Sequence, residues 1–305
     1  MKHETNKKGF TLIELLVVMS IIALLLSILM PALGRARAEA MLTKDQSQIK
    51  AVYSGFSFWA PSHNGMFPIP GLQQRLADPG TDNYIKGRGP EDLSMNDHAS
   101  MLSMCVMQNL FTPDLLIAPT EQSEFVAPMT EYDYDVFDAS STSQPGIFWD
   151  DTFGNDVTGG GDTDCNNSYG IMPLTGKRKP RNWKVGSSSF ALLGDRGPQD
   201  GLASKYSKSN LLHGISADWK GVIAFGDGHL ETLETFYPDS TTYIDDNGES
   251  QIDNIFFEDE NQPDSDEFGN GQGEFADCIL THVKVGDITD VTSTKAGGVA
   301  EFLHD

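Results

Sequence analysis

The sequence predicts an α+β protein: a long N-terminal helix, membrane-spanning in its first half, packed on an extracytoplasmic domain built on an antiparallel sheet. Three observations predict it. An unbroken apolar run extends from Phe10 through Leu33, with Glu14 its only ionisable member. Good helix formers and spaced apolar residues then continue to about Trp59. Beyond Pro61, short apolar stretches alternate with turn residues, most clearly where Val222 to Phe225 and Leu230 to Leu233 flank Asp227-Gly228.

Taking the elements in order, Lys2, Lys7 and Lys8 precede the apolar run. As a helix the run is about 36 Å long, enough to cross a hydrocarbon core of roughly 30 Å. A cleaved secretory signal is the rival reading, with Ala36-Arg37-Ala38 as its processing site. The run is too long for the usual 7 to 15 residues of such a signal, and arginines before the site fit it poorly. Pro31 lacks an N–H and so removes a helical hydrogen bond or kinks the span in its last third. From Gly34 the composition becomes amphipathic, and Pro61 with His63-Asn64-Gly65 ends the helix. The organisation is therefore a leader at 1–9, a membrane helix at 10–33, its amphipathic continuation at 34–60, and a domain at 61–305.

Charge supports this division. The 305 residues hold 21 Lys and Arg against 44 Asp and Glu, a net of −23. Residues 1–50 carry seven basic and four acidic residues, a net of +3, which leaves −26 on the remainder. So acidic a domain does not suit nucleic-acid binding, which needs clustered cations. The last 75 residues, with 19 acidic and two basic, read as largely solvated loop followed by a final strand near 275–285.

Glu14 is what a plain anchor does not explain, because a carboxylate inside a membrane helix requires a partner and no cation lies at helical spacing within the span. The string Lys7-Lys8-Gly9-Phe10-Thr11-Leu12-Ile13-Glu14-Leu15-Leu16-Val17-Val18 closely resembles the processing signal of type IV pilins and type II secretion pseudopilins. The resemblance covers residues 7 to about 37. It implies cleavage between Gly9 and Phe10 by a prepilin peptidase, N-methylation of Phe10, and a filament in which Glu14 of one subunit neutralises the Phe10 amine of a neighbour. It also implies a role for Pro31 in bending or melting the helix as subunits leave the bilayer for the filament. Cleavage then gates assembly, since only the cut chain offers both charges.

In the domain, a helix is expected around Ala99 to Leu110, a loop over 138–170, and strands at Phe190 to Leu193, Val222 to Phe225 and Leu230 to Leu233. Asp227-Gly228 is the hairpin turn between the last two, with both residues tolerating positive φ. Leu212-His213-Gly214, followed by Val222 through His229, resembles the H-X9-DG signature of prepilin-processing-associated proteins. Here thirteen residues rather than nine separate His213 from Asp227. On physical grounds His213 is a candidate to bond the turn or the Asp227 carboxylate.

Asp195, His213, Asp227 and His229 are also metal-ligand types, but they lack a recognised spacing, and Asp195 and Asp227 read as turn residues after apolar strands. Nucleophile-elbow, phosphate-loop and dinucleotide-binding patterns are missing as well, so no catalytic role is expected. Calcium is the candidate cofactor. Asp162, Asp164 and Asn166 begin an oxygen-rich loop that does not complete an EF-hand, and Asp245 to Glu249, within a candidate loop at 239–266, form a second oxygen cluster. Solvated turns are the alternative for both. Cys105, Cys165 and Cys278 allow at most one internal disulfide in an exported domain, or free buried thiols.

The functional expectation is a structural subunit of a type IV pilus-like or type II secretion pseudopilus filament. It would be anchored in the inner membrane with its leader cytoplasmic and its domain periplasmic or extracellular. Its partners would be prepilin peptidase, other pilin-like subunits and the inner-membrane assembly machinery. The alternative is a membrane-anchored extracytoplasmic binding protein that uses the same export route.

Overall fold

A computed structural model describes residues 10–137, 146–158, 164–174, 183–198, 201–202, 207–213, 218–244, 249–256, 280–285 and 300–303. The chain divides into two compact units, Met1–Thr43 and Lys44–Asp305. Helix α1 (Leu12–Trp59) is continuous through Pro31. Its apolar residues from Leu12 to Leu33 are exposed, and it is the one helix among the described residues long and apolar enough to cross a membrane.

From Asp45 onward α1 changes character. Asp45, Gln48, Ile49, Val52, Tyr53, Phe56 and Trp59 are buried at three- and four-residue intervals, the stripe of a helix packed along one face. The four-stranded antiparallel sheet comprises β1 (Tyr169–Ile171), β2 (Ala191–Asp195), β3 (Gly221–Phe225) and β4 (Leu230–Leu233), in that spatial order. Strands β1, β2 and β3 are wholly buried, so their near-continuous apolar sequence fits a sheet covered on both faces. Thr281, just before β7 (His282–Val285), bridges to Ile171 on the free edge of β1. β7 pairs with β8 (Ala300–Leu303), and β5 (Thr242–Ile244) pairs with β6 (Ser250–Ile252).

The predicted hairpin is present, with Ala224 opposite Leu230. Its turn differs in detail: only Gly228 takes positive φ, at 86°, while Asp227 does not. The Gly228 amide bonds the Phe225 carbonyl at 2.8 Å, and Phe225 N–H bonds the His229 carbonyl at 3.1 Å. This is a three-residue loop closed by a left-handed glycine, not a two-residue turn.

The domain helix α3 (His98–Met107) begins at Asp97, whose carboxylate accepts from Ser100 N–H at 2.7 Å. Two single helical turns also occur among the described residues, α2 (Pro70–Gln73) and α4 (Asn210–His213). Around the last turns of α1, Phe56 meets Phe67, Phe111 and Trp183, and the Trp183 indole donates to the Pro68 carbonyl at 2.8 Å. Just after β2, Arg196 forms a buried ion pair with Glu121. Burial pushes the Glu121 carboxyl up, but the hydrogen bonds and charge of Arg196 outweigh it and hold the group below its usual range.

The stretch 138–170 corrects the expectation of a loop. Residues 138–145 and 159–163 lie outside the described residues, but Trp149 packs with Trp59 and Met104. Val157 and Cys165 form a second small core with Val126, and β1 starts at Tyr169. Before β1, the described residues of this stretch contribute to the core without helix or extended strand, which is why no periodicity announced them. Cys105 and Cys165 are buried free thiols, pushed well up and up to about 12 respectively by burial. Cys278 lies outside the described residues.

Candidate functional site

The N-terminal candidates occupy the start of α1. Gly9 lies outside the described residues, and Phe10 is 84% exposed. Thr11 precedes the first helical residue and forms a reciprocal cap with Glu14. Thr11 N–H donates to Glu14 Oε2 at 2.9 Å, the Thr11 hydroxyl donates to the same oxygen at 2.8 Å, and Glu14 N–H donates to Thr11 Oγ1 at 3.3 Å. Threonine followed three residues later by glutamate is a capping box, and it satisfies amides that have no partner in the first turn. The carboxylate also faces the positive end of the helix dipole. Reading Glu14 only as a charge inside an apolar run missed this local role, which the Thr-x-x-Glu spacing signals.

The motif residues of the domain separate into two places. Asp227 bonds His229, with N–H to Oδ1 at 3.0 Å and Nδ1 to Oδ1 at 2.5 Å, while His229 Nε2 reaches Glu231 at 3.3 Å. His229 also stacks on Phe225, with ring centroids 4.4 Å apart. His213 does not meet Asp227, which corrects that expected contact. Instead its Nε2 stands 2.9 Å from Asp45 Oδ2 and 3.5 Å from Asp195 Oδ2.

The Asp227-Gly228 turn has its own task, gripping α1. Lys50 Nζ donates to the Gly228 carbonyl at 2.5 Å, and the Tyr53 hydroxyl donates to the Gly226 carbonyl at 3.0 Å. A Cβ on Gly228 would stand 2.3 Å from Tyr53 Cε1. Glycine is thus required twice, for its positive φ and for the closeness of the Tyr53 ring. Gln46 adds a bond from Nε2 to Thr232 Oγ1 on β4 at 3.0 Å.

A second centre is buried between α1, the sheet and α4. Asp45 and Asp195 are both fully buried, and the His213 side chain nearly so. The Tyr169 hydroxyl donates to Asp45 Oδ1 at 2.7 Å, and Val222 N–H donates to Asp195 Oδ2 at 2.7 Å. Burial first, and then the charge of Asp45, pushes the Asp195 carboxyl well above its usual range. Burial and the same two carboxylates push the Tyr169 phenol up. Asp195 therefore corrects the expectation of a turn residue: it is the last residue of β2 and sits in the core. Sequence reasoning overlooked Asp45 and Tyr169. The available signal was a carboxylate on the helical stripe shared with Ile49, Val52 and Phe56.

Of the calcium candidates, Asp162 lies outside the described residues and Asp164 is exposed. Asn166 is buried with its amide committed, Oδ1 accepting from Gly154 N–H at 2.8 Å and Nδ2 donating to the Ala127 carbonyl at 2.9 Å. In the second cluster, Asp245 to Gly248 lie outside the described residues.

Comparison with known proteins places one segment. Residues 5–30 match the family model of the prokaryotic N-terminal methylation motif. No curated protein and no solved structure matches the chain. The motif covers Gly9, Phe10 and Glu14 and runs into the exposed apolar half of α1, which together mark a membrane-anchored, exported protein. It also implies processing by prepilin peptidase and assembly with other pilin-like subunits. The N-terminal motif, borne on a long helix joined to an antiparallel-sheet domain, supports likeness to type IV pilins and pseudopilins.

Proposed function

We propose that the chain is a structural subunit of a type IV pilus-like or type II secretion pseudopilus filament. Prepilin peptidase cuts after Gly9 and Phe10 is methylated. The helix of residues 10–33 anchors the chain in the inner membrane, with the leader on the cytoplasmic side and the domain outside, until the assembly machinery draws it into the filament. One observation carries this reading. Glu14 is the sole carboxylate of the apolar run, it lies four residues after Phe10, and the start of α1 holds it at the helix end where the new amine arises. In a filament, that carboxylate on one subunit neutralises the cationic Phe10 amine of the next, removing two charges from an apolar environment at once.

Glu14→Gln tests the pairing, because glutamine retains the capping-box partner while losing the charge. Expected are a mature N-terminus at Phe10, read by mass spectrometry, and loss of cross-linked multimers in cells that hold the peptidase and assembly machinery. Multimers that persist in this variant would overturn the charge pairing. A wild-type chain that keeps Met1 beside active peptidase would overturn the processing. A wild-type chain that is processed but cross-links only as a monomer would favour an anchored binding protein.

A further inference from the structure

The buried centre at Asp45, Asp195 and His213 is a side-chain cluster for which filament assembly has no use. Its hydrogen bonds are distributed unevenly. Each carboxylate has one oxygen held from outside the cluster, Asp45 Oδ1 by Tyr169 and Asp195 Oδ2 by Val222 N–H. Asp195 Oδ2 also lies 3.5 Å from His213 Nε2, so that oxygen is shared between Val222 and the cluster. Asp45 Oδ2 faces His213 Nε2, and Asp195 Oδ1, fully buried, accepts no hydrogen bond among the described residues. The neighbouring carboxylate of Asp45 can bond Asp195 only while one of the two keeps a proton. Two carboxylates and an imidazole in a dry core otherwise leave negative charge uncompensated, which proteins avoid by pairing it or binding a metal.

We propose that Asp45, Asp195 and His213 bind one divalent transition-metal ion, best matched by Zn²⁺. A donor atom from each of the three lies within 4.8 Å of the other two. Two donors on one tetrahedral zinc ion stand about 3.3 Å apart. The distances from His213 Nε2, 2.9 Å to Asp45 and 3.5 Å to Asp195, lie on either side of that value. One imidazole and two carboxylates are zinc-competent donors, and a water fills the fourth position. The Tyr169 and Val222 bonds are then outer contacts that orient the ligating carboxylates, as metal sites require. A 2+ ion balances both carboxylates with His213 neutral. It also ties α1 to the end of β2 and to α4, both far along the chain from Asp45.

This inference goes beyond the filament reading and does not rest on it. The test uses the full-length protein in detergent, stripped with EDTA and titrated with ZnCl2. Metal content after dialysis is read by mass spectrometry and stability by thermal unfolding. Expected are one zinc per chain and a Tm raised by about 5 °C or more when free zinc is a hundredfold above its Kd. Asp195→Asn, which keeps the shape of the side chain, and His213→Gln should each weaken zinc binding at least tenfold and abolish the Tm shift. His229→Gln removes the exposed imidazole beside Asp227 and Glu231 and should change neither. A wild-type protein that retains no zinc and whose Tm does not move would overturn the site. So would zinc binding that survives Asp195→Asn and His213→Gln but disappears with His229→Gln.

Discussion

Glu14 and Asp45 are carboxylates on the same helix, and they are held by opposite means. Glu14 is satisfied locally by the amide and hydroxyl of Thr11, three residues away in the sequence. Asp45 is satisfied by Tyr169 and His213, which reach it from β1 and α4. A local cap needs no tertiary structure and keeps the carboxylate on an exposed surface. A core cluster needs the whole domain and leaves its carboxylate inaccessible. The first arrangement suits a charge awaiting a partner from outside, and the second suits a charge that fixes the fold.

The comparison is most easily broken at Asp45. Asp45→Ala leaves a buried tyrosine hydroxyl, an imidazole and a second carboxylate without their partner, and should cost about 3 to 5 kcal/mol in urea unfolding. The four tryptophans, Trp59, Trp149, Trp183 and Trp219, are all buried in the unit that holds Asp45 and report that unfolding by fluorescence. Glu14→Ala should leave the same curve unchanged. Equal effects from both variants would erase the distinction between the two carboxylates.

The next largest effect is expected at the turn that grips α1. Gly228→Ala forces a side chain into positive φ and against the Tyr53 ring, and should cost about 1 to 3 kcal/mol in the same assay. Acid acts at similar scale. Burial above all, and then the nearby His282, lowers the His98 pKa to about 3, so the folded state keeps that ring neutral where the unfolded state protonates it near pH 6.5. Stability should therefore fall as pH drops below 6.5, by about 2 kcal/mol at pH 5, and this contribution should level off near pH 3. Asp97, whose carboxyl is raised by burial, works in the opposite direction at lower pH. His98→Gln should flatten the slope of unfolding free energy between pH 6.5 and 5 by about one proton. The smallest effect belongs to the cap: Thr11→Val should weaken the first turn of α1 by about 1 kcal/mol, visible as faster hydrogen exchange at residues 12 to 15 with domain unfolding unchanged.

What could be read from the sequence follows from the range of the interactions. The span, the long helix and the β3–β4 hairpin are written in neighbouring residues, through apolar continuity, 3.6-residue spacing and an Asp-Gly turn. The methylation motif is equally local. The packing of Trp149, Val157 and Cys165 was not legible, because irregular backbone carries no period even where its side chains are core. Nor was the Asp45 centre, since Asp45 stands more than a hundred residues before Tyr169, Asp195 and His213 and only the fold brings them together. The expected bond of His213 to the turn or to Asp227 joined two points that the fold keeps apart, the His213 contact with Asp45 and the Asp227-Gly228 turn. In the fold each is fastened to α1 instead.

That double fastening has a mechanical side. A tensile force drawn along α1 would reach the sheet through the bond of Asp45 to Tyr169, the grip of Lys50 on the Gly228 carbonyl and the bond of Tyr53 to the Gly226 carbonyl. These attachments lie side by side along two helical turns, so such a force loads them together in shear and not one after another in peeling. Detaching the helix would mean breaking them at once, and the domain would travel with whatever pulls on the helix.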